Sequence, residues 1–265
     1  MLESQHISFV EALEAFAPVT LSEMDGVKLM NRIDSKYLVN ETSLLGILSD
    51  AAGAGYRVLV TDGGRISQYD SVYYDTPQLR MFLDHRNRKL TRQKVRTRSY
   101  VNSGDTFLEI KRKNNKGRTK KKRMPVPVEE LNDFRGDALA AEFLAGHSAF
   151  TASMLSPVLE TVFRRITLVN PAMTERLTID TCLCFKNFRT GLETNLKDAV
   201  IIELKQDGRA VSTMKGIFLS HRVKPMRVSK YCIAVTLTEP EVKSGRFKQK
   251  VRKMEKIINN KITVL

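Results

Sequence analysis

The stretch that decides the fold is Lys94-Val95-Arg96-Thr97-Arg98-Ser99-Tyr100, followed after a short turn by Phe107-Leu108-Glu109-Ile110-Lys111-Arg112-Lys113. Both segments alternate, and successive side chains of a β-strand point to opposite faces of the sheet. One face therefore carries the cations of the first segment together with Glu109 and Lys111, whereas Leu108 and Ile110 share the opposite face. Turn residues lie between the two segments, so the stretch predicts an antiparallel β-hairpin.

The same alternation of charged and apolar residues recurs along the chain. It predicts further strands at about 32–39, 56–61, 66–75, 119–128, 159–169, 175–183 and 199–205. In the strand over 119–128, Lys120 and Lys122 are placed on one face. Helices are predicted over 41–52, with Asn40 as the N-cap, and over 131–150. A basic helix over about 241–260 is expected to pack against the end of the fold or to present a solvated face.

Composition bounds the class of protein and its partners. The 265 residues are expected to form a single domain, residues 1–265, with a substantial core. The net charge of +15, from 44 Lys and Arg against 29 Asp and Glu, points to phosphates, nucleic acid or an anionic membrane surface as partner. No apolar run reaches the ~20 residues that span a bilayer, and the N-terminus lacks the features of a signal peptide. A cytoplasmic protein without a transmembrane segment is therefore predicted.

Two architectures fit strands whose alternate positions are charged and mostly basic. In the first, the charged faces point to solvent and helices cover the apolar side of the sheet. In the second, the sheet closes into a barrel whose charged faces line a lumen, with the helices packed outside. A lumen crowded with Lys and Arg is electrostatically unfavourable when empty, because like charges in a restricted space repel. It becomes favourable when the natural occupant is a polyanion.

A series of short motifs, each weak alone, occurs in one order and with matching strand alternation. The motifs are Arg32-Ile33-Asp34-Ser35-Lys36-Tyr37, Ser71-Val72-Tyr73-Tyr74-Asp75-Thr76, Lys94-Val95-Arg96-Thr97-Arg98, Leu108-Glu109-Ile110-Lys111-Arg112-Lys113, Phe163-Arg164-Arg165, Arg176-Leu177-Thr178-Ile179-Asp180, Ile202-Glu203-Leu204-Lys205 and Ser229-Lys230-Tyr231. Together, over roughly residues 25–237, they resemble the VTC domain, the polyphosphate polymerase branch of the triphosphate tunnel metalloenzymes.

The resemblance implies a fold and an activity. The expected fold is α+β, an antiparallel eight-stranded β-barrel (a triphosphate tunnel) with a basic interior and helices packed outside. The expected activity is a metal-dependent polyphosphate polymerase, which moves the γ-phosphate of ATP onto a growing inorganic polyphosphate chain. The implied cofactor is Mn²⁺ or Mg²⁺, and the implied partners are ATP and inorganic polyphosphate or triphosphate. The resemblance also implies a membrane-associated partner protein, because members of this family often work within membrane-associated assemblies.

The resemblance carries functional roles onto individual positions. The residues expected to act on the transferred phosphate are Arg96, Arg98, Lys111, Arg165, Arg176 and Lys230, with Lys36 and Lys122 as further phosphate-binding residues. Glu203 matches the metal-binding glutamate of the family, and Glu109 occupies a second acidic position. One departure concerns Phe163, because the catalytic member of the family has a tyrosine two residues before the arginine matched here by Arg165. The chain therefore lacks one hydroxyl group that could contact phosphate.

Three other functions compete with the polymerase. A hydrolase of the same fold would cleave inorganic triphosphate or a nucleoside triphosphate with water. A non-catalytic polyphosphate sensor would keep the basic residues and lose the acidic metal ligand, and Glu203 argues against it. A nucleic-acid-binding protein would explain the charge, but it requires aromatic residues interleaved with the basic strands, which the sequence does not indicate. No nucleic acid is therefore expected as a partner.

Overall fold

The computed structural model describes residues 9–24, 27, 32–196, 198–208 and 210–265. The predicted start of the tunnel core, residue 25, lies outside these residues. The strands are β1 (Ala17–Val19), β2 (Arg32–Asn40), β3 (Arg57–Leu59), β4 (Ser67–Asp75), β5 (Arg92–Tyr100), β6 (Asp105–Lys113), β7 (Thr119–Pro125), β8 (Ser156–Val169), β9 (Glu175–Asn187), β10 (Glu193–Leu196) and β11 (Ala199–Asp207). The helices are α1 (Leu21–Met24), α2 (Glu41–Gly53), α3 (Arg80–Arg86), α4 (Ala138–His147), α5 (Thr213–Ser220), α6 (Lys230–Thr238) and α7 (Gly245–Ile258).

Eight strands form one continuous antiparallel path in the order β2-β11-β9-β8-β4-β5-β6-β7. The path curls into a half-barrel. Among the described residues, no strand pairing joins its outer strands β2 and β7. The short strands β1, β3 and β10 attach beside this path, through pairings of β3 with β8 and of β10 with β9. The predicted α+β class and the antiparallel eight-stranded sheet are confirmed.

The hairpin that opened the sequence analysis is strands β5 and β6. Arg96 lies opposite Glu109, and Lys94 lies opposite Lys111. Paired residues of an antiparallel ladder point to the same face, so these four side chains share the concave face of the half-barrel. Leu108 and Ile110 are buried on the convex face, as the alternation predicts.

Helices cover the convex face in two places. Helix α2 and helix α5 pack over β2, β9 and β11, where Ile179 and Ile202 are buried. Asn40 caps α2, because its side chain accepts a hydrogen bond from the backbone N–H of Ser43 at 2.8 Å. Helix α4 packs over β5 and β6 with a separate apolar cluster. This helix is shorter than predicted and begins at Ala138, because the Asp137 side chain accepts a hydrogen bond from the backbone N–H of Leu139 and caps it there.

The concave face is basic over only part of its length. At one end it is apolar, with Leu38, Leu159, Phe185 and Ile201 buried against helices α3, α6 and α7. These three helices therefore lie inside the curl of the sheet, whereas the sequence analysis placed all helices outside. The physical reason is that apolar side chains on the concave face need cover from water. The predicted basic C-terminal helix is α7, and it packs into this end through Phe247, Met254 and Ile258.

We expect that shortening Met254 destabilises the whole fold, because its side chain is fully buried between α7 and the concave face. Met254→Ala should lower the free energy of unfolding by about 2–5 kcal/mol, measured by urea denaturation. The matched control is Lys256→Ala on the exposed side of the same helix, which should change it by less than about 0.5 kcal/mol. Equal effects of the two substitutions would show that α7 is not part of the core.

Candidate functional site

The uncovered part of the concave face is a charged trough. We define the trough by a set of charged side chains on this face, together with Lys230 of α6, which pairs with Asp180: the cations Lys36, Lys94, Arg96, Arg98, Lys111, Lys121, Arg165, Arg176, Lys205 and Lys230 and the carboxylates Glu109, Asp180 and Glu203. Seven of the eight predicted cations are in this set. The strands also curl far enough for Lys111 of β6 and Glu203 of β11 to perturb each other's pKa, although four strands separate them in the sheet order.

Lys122 is the exception among the predicted phosphate-binding residues. The register of β6 with β7 sets Lys122 opposite Ile110, on the convex face. Lys121 lies opposite Lys111 and therefore points into the trough. The cause is the run of consecutive lysines at the start of β7, Lys120 to Lys122, whose sequence leaves the register undetermined. We correct the predicted Lys122 to Lys121.

Glu109 is fully buried beneath the β5 side of the trough. It accepts hydrogen bonds from Arg96 Nε at 2.8 Å and Arg96 Nη2 at 2.5 Å, and its second oxygen is paired with Lys121. Burial alone would raise the pKa of Glu109, but Arg96, Arg98 and Lys121 outweigh it and lower the pKa well below its ordinary value. Both oxygens thus hold cations in place. This arrangement favours a positioning role over the metal-ligand role predicted for Glu109.

Asp180 performs the same task on the opposite wall of the trough. It accepts hydrogen bonds from Arg165 Nε at 2.6 Å and Nη2 at 2.9 Å, and it is paired with Lys230. Burial would raise the pKa of Asp180, but Arg165 and Lys230 lower it well below its ordinary value. The sequence analysis missed this residue as part of the site. The sequence did carry a signal for it, because Asp180 follows Arg176 and Thr178 at alternate positions and therefore shares their face of the strand.

Glu203 differs from the two buried carboxylates in its exposure and in its partners. Its side chain is 24% exposed, and its oxygens are 3.9 Å from Lys36 Nζ and 3.4 Å from Lys205 Nζ. Burial would raise the pKa of Glu203, but Lys36, Lys205 and Lys111 together lower it well below its ordinary value. Glu203 is therefore an ionised carboxylate with loose ion pairs and a path to solvent.

Four trough cations have no ion pair with a carboxylate among the described residues: Lys94, Arg98, Lys111 and Arg176. Arg98 donates only to the Ser71 hydroxyl, at 2.9 Å, and the Arg176 Nε–H is buried without a hydrogen-bond partner. Burial, followed by Arg96 and Arg165, lowers the pKa of Arg98 to about 10. Arg96 and burial lower the pKa of Lys111 well below its ordinary value. At Arg98 and Lys111, burial and the neighbouring cations therefore outweigh the nearby carboxylates.

Aromatic rings accompany the arginines at one end of the trough. Tyr69 and Phe163 stack with their ring centres 5.2 Å apart, and Arg98 and Arg165 lie 5.2 Å and 4.9 Å from the Tyr69 ring centre. The sequence analysis did not detect aromatic residues interleaved with the basic strands, and the structure corrects this. The rings serve as platforms for guanidinium groups within the fold. Phe163 also packs against Lys230, whose Nζ is 4.1 Å from the ring centre.

Tyr73 is a further trough residue that the sequence analysis did not assign to the site. Its hydroxyl accepts a hydrogen bond from Arg96 Nη1 at 2.9 Å, and its ring stacks on Tyr231. Burial would raise the pKa of Tyr73, but the cations around it, Arg96 foremost, lower the pKa to about 7. Arg96 is therefore held by two partners, the Tyr73 hydroxyl and the Glu109 carboxylate. Its guanidinium group is fixed before any ligand binds.

A family model described as the VTC domain matches residues 31–238 of this sequence. The chain belongs to the VTC domain family. This confirms the resemblance to the VTC domain found in the sequence over residues 25–237. No protein with a curated description matches the chain significantly.

Several solved structures resemble this VTC domain at low sequence identity. A putative adenylate cyclase from Vibrio parahaemolyticus is 11% identical, covers 76% of this chain and 97% of its own, and has a TM-score of 0.45. A protein from Pyrococcus horikoshii OT3 is 14% identical, with coverage of 76% and 95% and a TM-score of 0.42. A putative adenylyl cyclase from Hippeastrum with a dominant triphosphatase activity is 11% identical, with coverage of 80% and 99% and a TM-score of 0.47.

Two further observations concern metals and membranes. Within the described part of this VTC domain, no cluster of three or more His, Cys, Asp or Glu side chains could hold a metal ion by itself. Across the same residues, no helix combines the length and the apolar character needed to cross a bilayer.

We expect triphosphate binding to weaken as pH rises above about 8, because of Lys230. Burial, only partly offset by Asp180, lowers the pKa of Lys230 to about 8 in the empty protein, compared with ~10.4 in an unfolded chain. A bound polyanion favours the charged form, so binding above pH 8 takes up a proton. The affinity contributed by this group should then fall by up to about tenfold per pH unit. Calorimetric titration of triphosphate at fixed ionic strength between pH 7 and 9 measures this.

The control for this pH dependence is Lys230→Arg, whose guanidinium group stays charged throughout this range. Ionisation of triphosphate itself affects the wild type and the variant alike, so the difference between them isolates Lys230. The lowered pKa of Lys230 also predicts how the stability of the empty protein depends on pH. Because the folded pKa lies below the unfolded one, the empty wild-type protein should gain free energy of unfolding as pH rises from about 8 to 10. Parallel binding profiles for both proteins would contradict the assignment.

Proposed function

We propose that this protein is a polyphosphate polymerase that transfers the γ-phosphate of ATP to the terminal phosphate of an inorganic polyphosphate chain. The observation that carries the proposal is the set of trough cations without carboxylate partners among the described residues, which includes Arg98, Lys111 and Arg176. Like charges confined in a trough repel, so this arrangement favours occupation by a polyanion such as the triphosphate group. Membership of the VTC domain family supports transfer to a phosphate chain as the reaction.

The reaction needs little covalent chemistry from the protein. A terminal phosphate oxygen of the chain forms a bond to the γ-phosphorus, the bond from that phosphorus to the β–γ bridging oxygen breaks, and ADP leaves. The attacking oxygen is already ionised, so no general base is required. Catalysis then consists of positioning and of neutralising charge on the transferred group. The guanidinium and ammonium groups of the trough supply both the positioning and the charge neutralisation.

Five of the trough cations fall into two groups with different tasks. Arg96 and Arg165 are each fixed by a bidentate contact with a buried carboxylate, Glu109 and Asp180 respectively. A guanidinium group that is already oriented loses little entropy when it binds phosphate. The second group, Arg98, Lys111 and Arg176, contributes net positive charge that only a ligand can balance. We assign the first group to orientation and the second to affinity.

Mn²⁺ or Mg²⁺ fits this site through Glu203. It is the trough carboxylate with solvent access, and its two ion pairs are loose at 3.4 Å and 3.9 Å, so the oxygens can accept a metal. Hard divalent cations prefer oxygen ligands and are commonly held by one or two carboxylates together with substrate phosphates. When bound, such a cation neutralises phosphate charge and aligns the γ-phosphate. The cytoplasmic location and a membrane-associated partner remain predictions from sequence.

The decisive experiment is incubation of the protein with ATP and Mn²⁺, followed by gel separation of the phosphate products. A ladder of polyphosphate is expected. Free phosphate alone would instead identify a hydrolase, and unchanged ATP would identify a binding protein. Glu203→Gln keeps the size of the side chain and removes its charge, so it should abolish the ladder. Glu142→Gln, on the exposed side of α4, is the matched control and should leave the ladder unchanged.

Melting temperatures of both variants separate loss of chemistry from loss of fold. A Glu203→Gln protein that melts like the wild type and still makes polyphosphate at the normal rate would remove Glu203 from the site. A variant that fails to fold would be replaced by Glu203→Asp. That substitution keeps the charge on a shorter side chain. If Glu203 binds the metal, the variant should need a higher Mn²⁺ concentration to reach the same activity.

Substituting cations on opposite faces of the sheet can distinguish specific phosphate binding from a general attraction of phosphate to a basic surface. Arg98 and Lys111 point into the trough, whereas Arg112 lies on the convex face and donates to the His147 carbonyl at 3.3 Å. Loss of one charge-assisted phosphate contact costs on the order of 1.5–3 kcal/mol, roughly a tenfold to hundredfold loss of affinity. Arg98→Ala and Lys111→Ala should show this loss in triphosphate titrations, and Arg112→Ala should not. Equal losses in all three would contradict the trough.

A further inference from the structure

Tyr69 of β4 places a phenol ring on the concave face of the sheet. It is paired with Phe163 of β8 on one side and with Tyr100 of β5 on the other. Paired residues of an antiparallel ladder point to the same face, and Phe163 is buried on the concave face. Tyr69 therefore points to that face as well, together with Ser71 and Tyr73, which follow it at alternate positions of β4.

The hydroxyl of Tyr69 lies among the charges of the trough. Burial raises the pKa of this hydroxyl, and Arg165, Arg98 and Asp180 are all close enough to influence it. A phenol whose pKa is raised stays protonated at neutral pH, so it can donate a hydrogen bond. The trough wall thus carries a neutral O–H donor beside two guanidinium groups.

This hydroxyl differs from those of the neighbouring tyrosines because it has no hydrogen-bond partner among the described residues. The Tyr73 hydroxyl accepts from Arg96, and the Tyr74 hydroxyl donates to the Leu131 carbonyl at 3.3 Å. The Tyr69 side chain is only half-buried, so its polar end is not sealed within the core. The hydroxyl of a buried tyrosine usually has a partner in the protein, and that of Tyr69 is instead free to bind a ligand.

Support of the arginines by aromatic rings does not account for this hydroxyl. Phe163 stacks on Tyr69 and lies against the same two guanidinium groups, with Arg98 and Arg165 at 5.5 Å and 5.2 Å from its ring centre. A plain phenyl ring is therefore sufficient for these contacts. The oxygen of Tyr69 is an addition that the packing of the rings does not require.

We propose that the Tyr69 hydroxyl donates a hydrogen bond to a phosphate oxygen of the triphosphate group in the trough, and that Tyr69 is a further substrate-binding residue of the transfer reaction. This inference rests on the proposed function and adds a neutral donor to a wall of cations. Arg98, against the Tyr69 ring, has no carboxylate partner among the described residues and draws phosphate to this wall. A neutral donor makes a directional contact with phosphate and adds no repulsion to the empty trough.

The variant Tyr69→Phe tests the proposal, because it removes the hydroxyl and keeps the stacked ring. Calorimetric titration of inorganic triphosphate at about 0.15 M salt should show an affinity about tenfold lower than that of the wild type. The hydroxyl is uncharged, so this ratio should be about the same at roughly 0.5 M salt, whereas the loss caused by Arg98→Ala should shrink. The empty Tyr69→Phe protein should melt like the wild type, because its hydroxyl has no partner in the protein.

The matched control is Tyr74→Phe, which removes the same atom from the opposite face of the same strand. Tyr74 is buried on the convex face beneath α4, and its hydroxyl donates to the Leu131 carbonyl. Its loss should lower the melting temperature by a few degrees and change the affinity for triphosphate by less than about twofold. The two variants should therefore show opposite effects, on binding for Tyr69 and on stability for Tyr74.

Three results would overturn the proposal. They are a Tyr69→Phe protein that binds triphosphate as tightly as the wild type, a Tyr74→Phe protein that loses as much affinity, and a loss in Tyr69→Phe that comes with the same fall in melting temperature as in Tyr74→Phe. In each case wild-type binding of triphosphate and the product ladder are unaffected, so the proposed function survives. A wild-type protein that does not bind triphosphate would overturn both.

Discussion

The structure depends on how repulsion among the trough cations is contained. At an effective dielectric constant of about 20, two like charges 4 Å apart repel each other by about 4 kcal/mol, a large fraction of the stability of a typical domain. The fold limits this cost with three carboxylates spread along the curl of the sheet, Glu109 on β6, Asp180 on β9 and Glu203 on β11. Each carboxylate pairs with cations close to its own strand. Arg98, Lys111 and Arg176 have no such pair among the described residues.

This incomplete compensation connects stability with binding. If carboxylates neutralised every trough cation, the protein would be more stable but would lack the net positive charge that attracts phosphate. Without any carboxylate, the arginines would be mobile and the half-barrel would be destabilised by its own charge. The two fully buried carboxylates instead fix Arg96 and Arg165, because a buried charge must be paired and hydrogen-bonded. The unpaired Arg98, Lys111 and Arg176 then present a field that is already oriented when a polyanion arrives.

Sequence alone could predict the strands and their two faces, since alternation is local. It gave Lys94, Arg96 and Arg98 a common face, and the motif order then identified the family. Register between strands is not local, and the prediction failed where alternation was ambiguous. In Lys120-Lys121-Lys122 every position is basic, so only the pairing with β6 shows that Lys121 faces the trough. Asp180 and Tyr73 were overlooked for a related reason, because their partners Arg165 and Arg96 lie on other strands and meet them only in the folded sheet.

The placement of the C-terminal helices was beyond sequence reasoning for a different reason, and it explains how the site is completed. Apolar residues at one end of the concave face, such as Leu38 and Ile201, follow the same alternation as the charges, so the face changes character without a local signal. Helices α6 and α7 cover that end. Lys230 is the first residue of α6, where the partial positive charge of the helix N-terminus adds to its own. The hydrophobic contacts of α6 therefore position Lys230 against Asp180. Burial of apolar surface at one end of the concave face thus fixes a cation of the trough, and core and site depend on the same helix.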